Sequence, residues 1–368
     1  MNSPRTNNDN LSFSDINKIA GGFVAWIIGA GFATGREILN FFASFGYLAY
    51  GAIIITLVGF IFSVKVVMEA GYEHRDNPDF RQYDYFCGKK IGKIYYIVVP
   101  VFLFLLMAIL ISATGSTIQE NYGINRYIGS IIVAIIIFMS YISGFERFIQ
   151  VISKVTPILI VFFILVGLIV IQKDYSNFSL IGDLQSILKQ YKAGPVWYFS
   201  GFLYFSLAVS AGGTYISRLG ASARSLKQIK YGSLLGSIEV CLAIAIISTA
   251  ILLNIEHISK VDVPTLYLAQ RIGPLVANAF TIVLLLGIFS ASAATMWSLC
   301  KFMYADNPRK NKLAALLVAI LATLVGVFPF AKLVAIILPI MAYIGMFYVV
   351  CVVSVSYTHL TLPTILLV

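Results

Sequence analysis

Residues 29–38 read Gly-Ala-Gly-Phe-Ala-Thr-Gly-Arg-Glu-Ile, in the middle of an apolar segment long enough to cross a bilayer. An interior glycine costs a helix about 1 kcal/mol relative to alanine. Gly29, Gly31 and Gly35 therefore weaken this span unless close packing or an unwound stretch requires them. Small residues four apart, as in Gly31 and Gly35, suit helix packing in lipid. Packing does not account for the next two residues, Arg36 and Glu37. A charge at that depth has to face protein or a water-filled cavity, and it marks function by default. The stretch predicts a broken helix whose freed backbone groups line a cavity, because lipid offers them no partner.

The surrounding chain has 368 residues, of which 59% are hydrophobic and 11% charged. With a mean hydropathy of +0.89, this is the composition of a polytopic membrane protein rather than of soluble domains. Apolar runs near 17–44, 47–70, 94–119, 127–144, 148–172, 196–217, 231–254, 275–304, 313–329 and 333–353 predict ten membrane helices. The polar tail 1–16 precedes a run long enough to remain in the bilayer, so the first helix is its own insertion signal and no cleavable leader is expected.

The net charge of +10 resides mostly in the connections on the N-terminal side of the membrane. That bias predicts a cytoplasmic N-terminus in the cytoplasmic membrane and accounts for the basic residues without nucleic acid as a partner. Cys87, Cys241, Cys300 and Cys351 are far apart, with neither zinc-ligand nor disulfide-framework spacing. No metal site, resident cofactor or enzymatic nucleophile-base pair is expected, and no ATP-binding loop motif occurs.

A polar connector at 173–195, expected to be extracellular, separates a first set of five helices (17–172) from a second (196–353). Five being odd, the second set starts on the opposite side of the membrane. Its first span, 196–217, carries Ser206, Ser210, Gly212 and Gly213 near its centre. Paired glycine interruptions at one position of two inverted halves point to a transport site. Half-helix N-termini favour anionic groups there, and freed carbonyls favour a cation.

These features, GAGFATGREI in helix one, the ten-span layout and Ser-Ala-Gly-Gly at 210–213, resemble the amino acid-polyamine-cation superfamily, and within it the uncharacterised YkvI-type membrane proteins. The resemblance implies an all-α, LeuT-like fold: ten transmembrane helices in a five-plus-five inverted repeat, with helices one and six broken. It implies a solute held between the breaks by Gly29, Ala30, Gly31, Phe32, Gly35, Glu37, Phe205, Ser206, Ser210 and Gly212, with Arg36 as a gate.

In sodium-coupled relatives a cation site would correspond to the carbonyls of Ala25 and Ile28 with the hydroxyls of Ser292 and Thr295. Oxygen donors of this kind suit a hard cation such as Na+, although such hydroxyls also bond back to their own helix. In proton-coupled relatives a lysine takes the cation's place, and Lys154 stands at that position; the alternative for Lys154 is an interfacial side chain. Arg36 and Glu37 fit structural ion pairs as well as solute binding, and Glu239 in helix seven is a third buried-charge candidate.

Residues 73–93 read as a solvated inner loop with amphipathic character. The implied function is secondary transport of a small amine or amino-acid-like solute by alternating access, with Na+ or H+ as the coupling ion. A non-transporting membrane sensor using the same ligand site is the other class.

Residues 355–364, Val-Ser-Tyr-Thr-His-Leu-Thr-Leu-Pro-Thr, break the apolar pattern of the last span. They back-translate to a transposase adapter used in sequencing libraries, and segment 354–368 reads as that artefact rather than as native chain.

Overall fold

The computed structural model describes residues 11–77, 79–142, 155–303 and 308–365. Every regular element among them is helical. The first helix comes in three pieces, α1 (Phe13–Ile27), α2 (Ala30–Ala33) and α3 (Arg36–Phe41). A 3-10 turn leads to α4 (Ala49–Glu73), followed by α5 (Gln82–Tyr122), α6 (Arg126–Ile142) and α7 (Val155–Asp174). After the polar connector come α8 (Trp197–Ala211), α9 (Gly213–Ala221), α10 (Leu226–Leu252), α11 (Ile255–Ile258) and α12 (Pro264–Ile272). The chain ends with α13 (Pro274–Met303), α14 (Pro308–Gly326) and α15 (Phe330–Ile365).

Six described helices are long and apolar enough to cross a membrane: those within Ala43–Glu73, Gln82–Tyr122, Pro157–Ser179, Leu226–Leu252, Pro274–Cys300 and Phe330–Tyr357. Arg126–Ile142 and Lys312–Gly326 are apolar but shorter. Large apolar side chains such as Ile131, Ile132, Ile135 and Ile136 of α6 stand exposed. Exposed apolar surface on this scale is what contact with lipid requires.

The interrupted helices occupy the middle of the bundle. α1 packs along α10, α8 lies between α4 and α15, and α9 lies on α4. These contacts are close because the crossing points are glycines. Gly71 faces the Ser217 carbonyl, Gly220 faces the Met68 carbonyl, and Gly201 faces the Ala52 carbonyl, so that helix backbones touch where any side chain would hold them apart.

Contacts at the two ends give the directions of α1, α4, α7 and α10. At the end where α1 begins, Asp15 pairs with Arg224 at 3.1 Å. Gln228 there donates to the Asp15 carbonyl at 2.6 Å, and the Tyr72 hydroxyl donates to the Arg224 carbonyl. At the opposite end Tyr47 donates to the Phe178 carbonyl at 2.6 Å, and Asp174 receives Arg271 and Asn254.

One expectation is corrected here. Residues 82–87 form a helical turn of α5 that kinks at Gly88 (φ 75°) rather than a solvated loop. Gln82, Tyr83 and Phe86 are buried. The amphipathic pattern of 73–93 thus serves a docked face. The last helix also runs on to Ile365, past the expected end at 353.

The α4–α9 crossing yields a matched test. Gly71→Ala places a Cβ against the Ser217 carbonyl and should destabilise by about 1–3 kcal/mol. Gly21→Ala, where nothing lies within 4 Å, should leave stability equal or slightly higher. Thermal unfolding of both variants in detergent checks the contrast, and equal midpoints would contradict the packing.

Candidate functional site

The first break is a gap in backbone hydrogen bonding. The Ile28 amide donates to the Val24 carbonyl at 2.7 Å, and the helix stops there. Gly29 is extended, with φ −89° and ψ −172°. The next amide to find a backbone acceptor is that of Ala33, on the Gly29 carbonyl at 3.0 Å. Among the described residues, the carbonyls of Ala25, Trp26, Ile27 and Ile28 and the amides of Gly29 to Phe32 have no backbone partner.

A second, local turn redirects the chain at Gly35, whose φ of 76° favours glycine. A Cβ there would meet Thr265 and Pro264. The Thr34 hydroxyl closes this turn, donating to the Gly31 carbonyl at 2.6 Å and receiving the Arg36 amide.

The second break is narrower. Gly212 donates to the Ala208 carbonyl at 3.0 Å, and Ile216 donates to the Gly212 carbonyl at 2.8 Å. Between them the amides of Gly213, Thr214 and Tyr215 reach no described backbone carbonyl, which frees the carbonyls of Val209, Ser210 and Ala211.

The two breaks touch. Trp26, in the last turn of α1, donates its indole N–H to the Ala208 carbonyl at 3.1 Å. The same ring fills the place of a Cβ at Gly212 and stacks on Tyr215 at 5.5 Å. Tyr215 in turn donates to the Gly22 carbonyl. The last turn of the first helix before its break thus packs directly on the second break at Gly212.

Glu37 and Arg36 diverge, as neighbouring helix residues must. The Glu37 carboxylate folds back over the break, so that a Cβ on Gly31 would lie 2.7 Å from its Oε1. Arg36 turns to the connector between α10 and α12, donating to the Val261 carbonyl at 3.1 Å, and lies 5.0 Å over the Tyr191 ring. That connector is held from two further sides. Glu120 receives the amides of Asp262 and Val263, and Ser116 donates to Asp262 at 2.9 Å. Thr265 bonds the carbonyls of Ala33 and Thr34. The segment therefore covers the break on the side opposite the N-terminus.

Other expected residues sit elsewhere. Phe32 is buried against Phe163 of α7, with ring centroids 5.3 Å apart. Phe205 lies on Gly59 and Phe202, wedged between α8 and α4. The Ser206 and Ser210 hydroxyls bond back to the carbonyls of Phe202 and Leu207, and this face meets Gly345 of α15. The side chains of Phe205, Ser206 and Ser210 are therefore engaged in contacts between α8 and its neighbours.

Thr295 bonds the Ala291 carbonyl at 2.8 Å, while the Ser292 hydroxyl is buried with no partner. Lys154 lies outside the described residues, and so does the Ala30 side chain. Glu239 is exposed rather than buried.

Tyr83 was not among the expected site residues. Its hydroxyl donates to the freed Ser210 carbonyl at 2.8 Å, and Gln82 donates to the Thr214 hydroxyl at 3.3 Å. Tyr83 stacks on Tyr95 at 5.4 Å and meets Tyr348 edge-on at 5.2 Å. The turn 82–87 therefore covers the second break from the side of the N-terminus.

The chain is similar to YkvI along most of its length. The curated protein of Bacillus subtilis (strain 168), an uncharacterized membrane protein, is 22% identical over 329 residues, 89% of this chain and 92% of YkvI. The uncharacterized protein YyaD of the same organism is 22% identical over 325 residues, 88% of this chain and 92% of YyaD. The resemblance expected from the sequence is thereby borne out. No family model matches the chain. Crystal structures of two mutants of the Eremococcus coleocola manganese transporter align with TM-scores of 0.55 and 0.53. Each is 12% identical and covers 96% of this chain and 81% of the transporter. This likeness shows the fold.

Tyr83→Phe removes the donor to the Ser210 carbonyl and leaves a buried acceptor unpaired, at a cost of about 1–3 kcal/mol. A lower unfolding midpoint is expected, with faster hydrogen exchange across 82–87. Unchanged exchange there would show that ring packing alone holds the turn.

Proposed function

We propose that the chain is a secondary transporter with ten membrane helices in a LeuT-like five-plus-five inverted repeat. It moves a small amine or amino-acid-like solute across the cytoplasmic membrane by alternating access, coupled to Na+ or H+, with its N-terminus inside. The observation that carries this reading is the contact between the two breaks, Trp26 on Ala208 and Gly212, with unspent carbonyls on both sides of it. Broken backbone at membrane depth persists where it lines a cavity, and two such sites meeting at a repeat interface form the usual solute position of transporters with inverted repeats.

The long helices, the two shorter apolar ones and the two interrupted ones together make ten passes. The fold shared with the manganese transporter supports transport as the activity. In this chain the groups at the break are carbonyls, one carboxylate and aromatic rings, a set suited to an ammonium group. For the coupling ion, the Ser292 hydroxyl and the carbonyls of Ala25 and Ile28 are oxygen donors left unengaged among the described residues. They favour a Na+ site, and Lys154 is the proton-coupled alternative.

The connector between α10 and α12, on Arg36 and Glu120, and the inner turn on Tyr83 cover opposite faces of the same site. Releasing one at a time is what alternating access needs.

Purified protein in liposomes should accumulate labelled amines or amino acids under an imposed Na+ or pH gradient. Replacing both Ser292 and Thr295 by alanine should lower Na+-driven uptake by at least tenfold. Solute binding without flux under any gradient would contradict transport and favour a sensor.

A further inference from the structure

At the N-terminal end of the bundle, the segment that follows α4 and the first turns of α5 line a cavity of about 480 Å³. That volume lies within the range of small-ligand sites, roughly 300–1,000 Å³. Part of the lining is aromatic and fixed in place. The His74 Nδ1–H donates to the Ala70 carbonyl at 3.0 Å. Its ring stacks on Phe80 at 4.4 Å and meets Tyr85 edge-on at 5.1 Å. Another part is basic, supplied by Lys89 and Lys93, one helical turn apart on α5.

The charges of this lining do not cancel. Arg81 and Asp84 pair at 3.1 Å, and the Arg81 guanidinium lies 4.2 Å over the Tyr96 ring, so these two charges answer one another. Asp79 offsets one lysine at most. Among the described residues neither Lys89 nor Lys93 forms an ion pair or a hydrogen bond, and neither does Lys90 beside them. The lining is therefore net positive even with His74 neutral. A lone lysine at a membrane boundary needs only water for its ammonium group. Like charges four residues apart on a helix repel, so an anion held between Lys89 and Lys93 offsets a cost that the protein alone leaves in place.

The surface beyond the lysines decides the kind of anion. Ile97 and Val101 follow Lys93 at helical spacing on the same face of α5, with Ile94 beside them, and all three are half exposed or more. They belong to a helix long and apolar enough to cross the membrane. A positively charged cavity that continues into a lipid-facing stripe matches a molecule with an anionic head and an apolar tail.

We propose that this cavity binds the headgroup of an anionic phospholipid from the leaflet on the N-terminal side. Lys89 and Lys93 hold the phosphate, and an acyl chain lies along Ile97 and Val101. The inference uses the membrane setting alone and stands apart from the transport reading and its solute.

Native mass spectrometry of the full-length protein, titrated with phosphatidylglycerol, phosphatidylcholine and glycerol 3-phosphate, tests it. Phosphatidylglycerol should bind at least tenfold more tightly than either of the others. Replacing Lys89 and Lys93 by glutamine should weaken phosphatidylglycerol roughly fivefold for each lysine removed and leave phosphatidylcholine unchanged. Replacing both by arginine should retain the preference, which separates loss of charge from a disturbed fold. Arg218→Gln with Lys230→Gln removes the same charge from the same end, outside the cavity lining, and should change affinity by less than twofold. Equal binding of the two lipids, or a preference that survives loss of both lysines, would overturn the site. An equal loss in the Arg218 and Lys230 control would overturn it in favour of general surface charge. Glycerol 3-phosphate binding as tightly as the lipid would overturn it in favour of a soluble phosphate.

Discussion

The indole N–H of Trp26, donating to the Ala208 carbonyl, is the contact on which the candidate site depends. It joins the last turn of α1 to the helix that fails four residues later at Gly212. It also places a broad ring where any Cβ on Gly212 would stand. Each break exposes backbone groups that lipid cannot satisfy. Brought together, they face one another and the side chains between them, and the exposed backbone becomes the wall of a site.

The rest of the bundle serves this juxtaposition. Glycines at the α4–α9 and α4–α8 crossings allow backbones to touch, which holds the second broken helix against its neighbours without bulky side chains. On one face the connector between α10 and α12 is fastened by Glu120, Ser116, Arg36 and Thr265. On the other face Tyr83 occupies a carbonyl that the second break sets free. The Ser210 carbonyl that the second break sets free is thereby satisfied by a protein hydroxyl. Gly88, with positive φ and open space around it, is where α5 bends away from this turn.

Much of this was legible in the sequence. Three glycines followed by two charges cannot continue as an ordinary membrane helix, and the structure breaks at Gly29 and turns at Gly35. The partner break at Gly212 was legible from Ser-Ala-Gly-Gly for the same reason. What remained illegible was side-chain direction within a helix whose mean composition is apolar all round. Phe205 and Tyr204 are adjacent and both aromatic, yet the first packs on α4 and the second lies near Glu37; only the rotation of α8 decides between them. The resemblance puts Ser206 and Ser210 beside a solute, and in the structure their short hydroxyls bond back to their own helix. Glu120 and Asp262 carry no motif that singles them out, and Tyr83 lies in a stretch that reads as a solvated loop. Their roles come from contacts with elements more than a hundred residues away.

The central claim is that the paired breaks hold a solute. It is tested most directly by an experimental structure of the protein saturated with an amine that it transports. The account predicts solute density between Gly29–Gly31 and Ala208–Gly212, with the ammonium against Glu37 and the helix-one carbonyls. Density for the solute elsewhere in the bundle, with Trp26 still on Ala208 and protein side chains filling the space between the breaks, would contradict it.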